Sequence, residues 1–436
     1  MKRISGQRDS SSDWRAFQRH LGPSRFEFLP SSKVLKILGL LCLILIACGT
    51  LLFAAKRNPP SRSSPPSSPN SPSRAKDLKH SSFPLSSGLP RFDRIVDGLY
   101  EEERDSYRFR YSLSPILQMS ILEILHTYRP PYGAFVALDP KTGRILALAD
   151  YSRQSPWNAG LWQRATYPAA SIFKIITAAA ALEKGLLNYD SPVSYRGNQY
   201  RLGPQKITQS SRRDRQMSFD EALGKSNNVV FGRVASHLVG SETLRKISEA
   251  FGFNQSLSFD FPLETSQALI PDETYELARC GAGFGEVTLN PIHAALIAAA
   301  VANQGIMMRP YLAAEIWDAN GECLYVAKPQ VLFRPISAQT AADLSQMMLR
   351  TIQDGTAARI FHRYGKALTR RLTICGKTGS LTGDNPPGKY DWFIGFASAE
   401  DSQIAFSAMM VNQDRGRIRS AWVAQEVLRT FFRESF

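Results

Sequence analysis

Ser171 and Lys174 stand three residues apart in the run Ser171-Ile172-Phe173-Lys174, which places a hydroxyl and an amine where they can act on each other. A serine hydroxyl is a poor nucleophile at neutral pH until a base takes its proton. Residues three apart on a helix share a face, so the Lys174 amine can reach the Ser171 oxygen. Lysine acts as a base only when its pKa is lowered, which burial and a nearby second cation accomplish. Lys377, in Lys377-Thr378-Gly379, is the natural second cation. Between them lies Ser226-Asn227-Asn228, where Ser226 can pass a proton between Lys174 and a leaving amine, and Asn228 can bind a substrate amide through its paired donor and acceptor. Lys377 can hold a substrate carboxylate that Thr378 also hydrogen-bonds. Gly379 leaves room for a peptide to lie along a strand edge. The backbone N–H groups of Ser171 and Ser380 can hold an oxyanion between them.

Each motif is weak alone, and the chain carries its own decoys. Ser73-Arg74-Ala75-Lys76 and Ser68-Pro69-Asn70 fall in a Ser/Pro tract, and a second Lys-Thr-Gly, Lys141 to Gly143, falls in the turn Asp139-Pro140-Lys141-Thr142-Gly143 between two apolar runs. A Ser-Asn-Asn is also a common helix cap. The three retained motifs differ in context. Ser171 opens a helical pattern, Ser226 lies just past a helical segment, and Lys377 closes a strand-like run that is followed by Tyr390-Asp391-Trp392-Phe393-Ile394-Gly395, the next strand of a hairpin.

The elements that must position these residues read as follows. Arg91 to about Arg129 is helical or mixed, with Leu113, Ile116, Leu117, Ile121 and Leu125 at helical spacing. Tyr132–Leu138 and Arg144–Tyr151 are two strands. Ser171 to about Leu187 is an Ala-rich helix apolar on nearly every side, as befits a buried helix. Ser218–Leu223 and Asn228–Leu238 are helical, as are Pro291–Asn303 and Ile336–Gly355. Leu372–Gly376, Asp391–Ser398 and Gln403–Asn412 are sequential strands, closed by a helix over Ala421–Phe432. This order suggests an α/β architecture, with one sheet built from the first and last segments, helices on both faces, and an all-helical subdomain inserted between.

The chain has 436 residues, 43% hydrophobic and 21% charged, enough to bury a large core. Its formal charge of +15 is concentrated at the start, because residues 1 to 90 hold 14 Lys/Arg against 4 Asp/Glu. That placement argues against a nucleic-acid-binding catalytic domain and for an anionic membrane surface near the tail. Residues 37–55 pass without a charge, long enough to cross a hydrocarbon core of roughly 30 Å. They are read as one transmembrane anchor after a basic cytoplasmic tail, 1–36. The competing reading is a processed lipoprotein segment with Leu45-Ile46-Ala47-Cys48 at its cleavage site. Residues 56–90 form a Ser/Pro-rich linker that behaves as an extended tether. The five cysteines and six histidines are scattered without metal-ligand spacing, so the chemistry is expected to run with no metal and no cofactor.

The set of motifs resembles the transpeptidase domain of the penicillin-binding proteins, and the resemblance runs over roughly Tyr111 to the C-terminus. Tyr111-Ser112-Leu113-Ser114-Pro115 with Gln118 resembles the family's lead into the domain, and Ala134 to Pro140 with Lys141 to Leu146 its first hairpin. Phe219 to Phe231, Gly283-Phe284-Gly285 with Pro291, Asn303 with Gly305 and Pro310, Gly355-Thr356-Ala357 and Trp392-Phe393-Ile394-Gly395 also fall where the family has similar residues. Many members carry Gly before the nucleophile and Thr after Lys-Thr-Gly; here these are Ala170 and Ser380. The segment from the linker to Tyr111 is short for the pedestal domain usual in class B members, and no glycosyltransferase domain is seen ahead of it.

The resemblance implies a transpeptidase domain over 91–436, a mainly antiparallel sheet covered by helices, with the single transmembrane helix ahead of it. It implies an inner-membrane enzyme facing the extracytoplasmic space. There Ser171 would attack the D-Ala-D-Ala amide of a peptidoglycan stem peptide, expel D-Ala and hold the rest as an ester, with Lys174, Ser226, Asn228 and Lys377 as catalytic partners and Thr378, Gly379 and Ser380 binding substrate. An amine acceptor gives a cross-link, and water gives a D,D-carboxypeptidase. β-Lactams become covalent inhibitors and a glycosyltransferase a possible partner. A class D-like β-lactamase shares the first and third motifs but usually has Val where this chain has Asn228, and the class A Glu-x-x-Leu-Asn is not found. A non-catalytic wall-synthesis scaffold is the remaining alternative, set against intact Ser171, Lys174, Asn228 and Lys377.

Overall fold

In the computed structural model, residues 88–92, 94–154, 159–207, 212, 214–399, 402–413 and 418–433 are described. The expected tail, anchor and nearly all of the linker lie outside them. Among the described residues no helix is long and apolar enough to cross a membrane.

The chain begins with three short strands, β1 (Arg94–Val96), β2 (Leu99–Arg104) and β3 (Tyr107–Tyr111), and then the helix α1 (Pro115–Tyr128). Of the two readings of this segment, helical or mixed, it is the mixed one, with strands up to Tyr111 and helix only from Pro115. In Tyr107-Arg108-Phe109-Arg110-Tyr111 the fully buried Phe109 and Tyr111 alternate with more exposed arginines, a period of two that suits a strand. Ser114 and Pro115 start α1, with the Leu117 N–H donating to Ser114 Oγ, and Arg129 ends it in a left-handed conformation.

The hairpin β4 (Tyr132–Leu138) and β5 (Ile145–Ser152) follows. Its turn is the decoy Lys-Thr-Gly. There the Gly143 N–H donates to Asp139 O at 2.9 Å, and Gly143 has φ +81, with Arg309 O only 2.1 Å from where a Cβ would sit. Later come β12 (Thr373–Asp384), β13 (Pro387–Ala399) and β14 (Ser402–Asn412). They join the first hairpin in one antiparallel sheet of order β12-β13-β14-β4-β5. The expected strand ending at Gly376 runs on to Asp384, so Lys377 lies inside the strand and does not close it.

Both faces of this sheet are covered, which is why its strands read as nearly continuous apolar runs. Phe135, Ala137, Phe393, Phe406 and Met410 pack with α1 and the final helix, Ser420–Phe431. Ala134, Val136, Trp392, Ile394 and Met409 pack on the other side with helices Lys174–Glu183 (α2) and Pro291–Ala302. The latter is buried from Pro291 to Val301 and is capped by Asn290, whose Oδ1 accepts from the His293 N–H at 2.7 Å.

Between α2 and Pro291 the chain forms the inserted subdomain. It is not all-helical. β6 (Pro192–Tyr195) pairs antiparallel with β7 (Arg215–Ser218), ahead of helices Phe219–Gly224, Asn228–Arg233, Gly240–Ala250 and Thr274–Gly281. Besides the short pair β8 (Met307–Met308) and β11 (Val331–Phe333), a second large sheet also lies beyond the sequence reading, because β1–β3 are completed by β9 (Ala313–Trp317) and β10 (Cys323–Val326). Glu101 and Glu102 are buried in it. Arg91 and Arg104 donate to Glu102, Arg110 donates to Glu101, and the Tyr111 hydroxyl donates to Glu102 Oε2 at 2.5 Å.

Phe393 is fully buried, with its ring centroid 5.8 Å from Phe361 and 5.6 Å from Phe406. Phe393→Ala should lower unfolding free energy by about 3–5 kcal/mol, whereas Ile116→Ser, at a side chain 71% exposed, should change it by less than about 0.5 kcal/mol. Urea titration followed by circular dichroism measures both; equal effects would contradict the two-faced core.

Candidate active site

Ser171 sits in a 3-10 turn, Ala170–Phe173, that leads into α2 at Lys174. The expected single helix from Ser171 is thus two pieces, and the α-helix ends at Glu183. Ile172 and Phe173 bury their side chains beneath the turn, and the Ala169 N–H donates to Val287 O at 2.9 Å. Ala170 has φ +49, a left-handed backbone that costs a non-glycine residue about 1–2 kcal/mol. Strain of this kind persists only where surrounding contacts over-determine it. One such contact is Gly283 (φ +90), whose missing Cβ would lie 2.2 Å from Ala170 O and 2.9 Å from Ser171 N.

Lys174 is fully buried, while Ser171 is half-buried at the surface of the site. The Lys174 Nζ lies 2.9 Å from Ser171 Oγ and 2.8 Å from Asn228 Oδ1, and it also donates to Ala282 O. The Asn228 amide is oriented by its other end, where Nδ2 donates to Tyr200 O at 2.8 Å. Ala282 O and Asn228 Oδ1 can only accept. A neutral amine gives two protons to these two acceptors and turns its lone pair to the one partner that can donate, the Ser171 hydroxyl. Burial, and then the Lys377 charge, hold the Lys174 pKa well below its ordinary value.

Ser-Asn-Asn divides its labour. Asn227 is the helix cap, with Oδ1 accepting from the N–H groups of Val229 and Val230 at 3.0 and 3.1 Å. Ser226, in a left-handed conformation at φ +55, and Asn228 are thereby turned toward the lysines. Lys377 Nζ donates to Ser226 Oγ at 3.0 Å and to Thr378 O at 2.9 Å, and burial pushes its pKa down to about 7. With Asn228 Oδ1 on Lys174 and one Nδ2 hydrogen on Tyr200, one amide hydrogen remains for a ligand.

β12 is the outermost strand of its sheet and alternates sides through the third motif. Lys377 and Gly379 are buried, whereas Thr378 is half-buried and Ser380 exposed. The space Gly379 leaves is directed inward, since a Cβ there would lie 3.1 Å from Ile172 Cγ1 and 3.3 Å from Trp392 Cβ. Its contribution is to let the strand close on the turn that carries Ser171. The structure thus joins Ser171, Lys174 and Asn228 in one hydrogen-bonded group and Lys377, Ser226 and Thr378 in a neighbouring one, with Gly379 packed on the Ser171 turn and Ser380 exposed one residue further along β12. Ala282 and Thr356 join them unannounced. A backbone carbonyl has no sequence signature, and the only sign of Thr356 was the run Gly355-Thr356-Ala357.

A family model described as the penicillin binding protein transpeptidase domain matches residues 133–432. Penicillin-binding protein 3 of Bacillus subtilis is 26% identical over 316 residues, 65% of this chain and 45% of that protein. Peptidoglycan D,D-transpeptidase PbpA of Mycobacterium tuberculosis (strain ATCC 25618 / H37Rv) is 29% identical over 320 residues, 65% of this chain and 63% of that one. The chain therefore spans between about half and under two thirds of these relatives' length. Among solved structures, the D,D-transpeptidase domain of a peptidoglycan glycosyltransferase from Eggerthella lenta superposes with a TM-score of 0.60 at 26% identity, covering 74% of this chain and 82% of that one. Penicillin-binding protein A from M. tuberculosis, as its penicillin G acyl-enzyme complex, gives 0.60 at 25% identity, covering 74% and 80%.

The turn geometry predicts opposite outcomes for two small substitutions. Ala170→Gly relieves the left-handed cost but gains unfolded-state freedom worth about 0.5–1 kcal/mol, so thermal unfolding should be unchanged or slightly raised. Gly283→Ala drives a methyl into Ala170 O and should cost more than about 1 kcal/mol. A destabilised Ala170→Gly beside a neutral Gly283→Ala would refute the packing described.

Proposed function

The chain belongs to the penicillin binding protein transpeptidase family, and from that premise we propose that it is a membrane-anchored, penicillin-sensitive D,D-transpeptidase that cross-links peptidoglycan stem peptides. The observation that carries this reading is the buried Lys174 amine with two obligate acceptors and its remaining direction on Ser171 Oγ at 2.9 Å.

In this reading the Ser171 proton passes to Lys174 as Oγ attacks the carbonyl of the penultimate D-Ala. The tetrahedral intermediate collapses, the C–N bond breaks, and the departing D-Ala amine takes a proton delivered through Ser226. The acyl group stays on Ser171 as an ester until the amine of a neighbouring stem attacks it by the reverse route. Lys377 is buried and directed at Ser226, so the hydroxyls of Thr378 and Ser380, on the other side of β12, are the direct partners for the donor carboxylate. Lys377 supplies charge and keeps Lys174 neutral. Asn228 offers its remaining N–H to the stem-peptide amide, and the N–H groups of Ser171 and Ser380 receive the oxyanion.

The same proposal assigns residues 91–436 to the catalytic domain outside the cytoplasmic membrane, 37–55 to the anchor, 1–36 to a cytoplasmic tail near anionic lipids, and 56–90 to the tether. The proposal leaves room for a glycosyltransferase partner of the wall-synthesis machinery. Among the described residues no carboxylate hydrogen-bonds Ser171, Lys174, Ser226 or Lys377. That favours a slow loss of β-lactam over the β-lactamase alternative, because fast hydrolysis needs a separate base beside the ester.

A fluorescent penicillin should label the protein at Ser171, Ser171→Ala should abolish labelling, and the adduct should survive a chase for minutes or longer, a barrier of roughly 20 kcal/mol or more. Labelling that persists in Ser171→Ala removes the nucleophile, and turnover of many equivalents per second makes the chain a β-lactamase. Product analysis with a stem-peptide donor and an amine acceptor separates cross-linking from carboxypeptidase action.

The two lysines also set a pH profile. Acylation requires neutral Lys174, so kcat/KM should rise as pH climbs through its lowered pKa. It should fall above about pH 7, where Lys377 loses its charge. A profile that keeps rising to pH 9 would show that the Lys377 charge is not used.

A further inference from the structure

Thr356 lies just past the helix Ala338–Gln353, outside the three motifs, and its backbone is fixed to the second of them. A Cβ on Gly355 would sit 2.3 Å from Gly224 O, and the Thr356 N–H donates to that same oxygen at 3.0 Å. Gly224 is two residues before Ser226. Arg350 on the same helix adds an ion pair to Asp220 at 3.4 Å. From this anchor the Thr356 hydroxyl reaches the Thr378 hydroxyl of β12 at 2.5 Å. Thr356 is exposed, and with Tyr200 and Lys225 it lines an open cavity of about 430 Å³.

A hydroxyl has one proton and two lone pairs. When two hydroxyls bond to each other, one proton is spent between them and one is left to point outward. A Thr378 without that partner has a hydroxyl free to rotate, with its proton no longer fixed in one direction. Building on the functional reading above, we propose that Thr356 is a positioning residue for the donor carboxylate. It holds the Thr378 hydroxyl so that the free proton of the pair faces the carboxylate of the terminal D-Ala, or of a β-lactam in its place. A hydrogen bond to a charged acceptor is among the stronger ones, so its orientation bears directly on acylation. The other role open to Thr356, pinning its helix to the Ser226 loop, is carried by Gly355 and the Thr356 N–H, which a valine retains.

The test compares the full chain with Thr356→Val and Thr356→Ser, using benzylpenicillin and its methyl ester, which lacks the carboxylate. The readout is the ratio of the two acylation rate constants within one preparation, so an unfolded fraction cancels. Thr356→Val should lower the acid-to-ester ratio about tenfold at an unchanged melting temperature, and Thr356→Ser should restore it. An unchanged ratio in Thr356→Val, or equal loss with both compounds, overturns the proposal. Failure of the unaltered protein to be acylated at all would instead overturn the functional reading, and the proposal with it.

Discussion

Two lysine amines share one water-poor site in which every hydrogen-bonding partner is neutral. Lys174 meets a hydroxyl, an amide oxygen and a backbone carbonyl; Lys377 meets a hydroxyl and a backbone carbonyl. Burying a charge without a counter-ion is costly, and a lysine escapes the cost by releasing its proton. A single carboxylate in contact would undo this by stabilising the ammonium form. The architecture around the site can be read as the means of holding two amines close while keeping acids away from them.

That demand is met by close backbone approaches around the site. The turn bearing Ser171, the loop bearing Ser226 and the strand bearing Lys377 come from different parts of the sequence; the lysine side chains bridge them, and three glycines let the backbone around them approach closely. Gly283 lies against the Ala170 backbone, Gly379 against Ile172, and Gly355 against Gly224. The cores on both sides of the central sheet provide the rigidity these approaches need, since a loose scaffold would not hold Ala170 and Ser226 in left-handed backbone.

The chemistry was legible in the sequence because it constrains residue types: a hydroxyl, an amine at helical spacing, and a second cation on a strand. Elements with local signals were legible too. Helix Pro291–Ala302 has its Asn290 cap and leading proline, and hairpin β4–β5 has its turn. What escaped depends on distant pairing. β3 finds its neighbour in β9, with Arg110 opposite Glu315, and no local pattern announces that partnership. The length of β12 escaped for the same reason, because Gly383 and Gly379 look like strand breakers until β13 is laid beside them. From sequence Gly379 reads as open space for a ligand, yet its missing side chain is met from within by Ile172 and Trp392.

The position of β12 at the margin of its sheet carries a liability as well as a use. An unpaired row of backbone donors and acceptors recruits any extended chain, and proteins usually blunt such margins by covering them. Under the proposed function this margin admits a peptide, and a strand so used cannot be covered. Here the outward positions Ser380, Thr382 and Asp384 are exposed and polar, with no apolar side chain among them. Polar and acidic side chains at these positions leave the margin little apolar surface with which to recruit a second copy of itself, so the same strand can stay open without becoming adhesive.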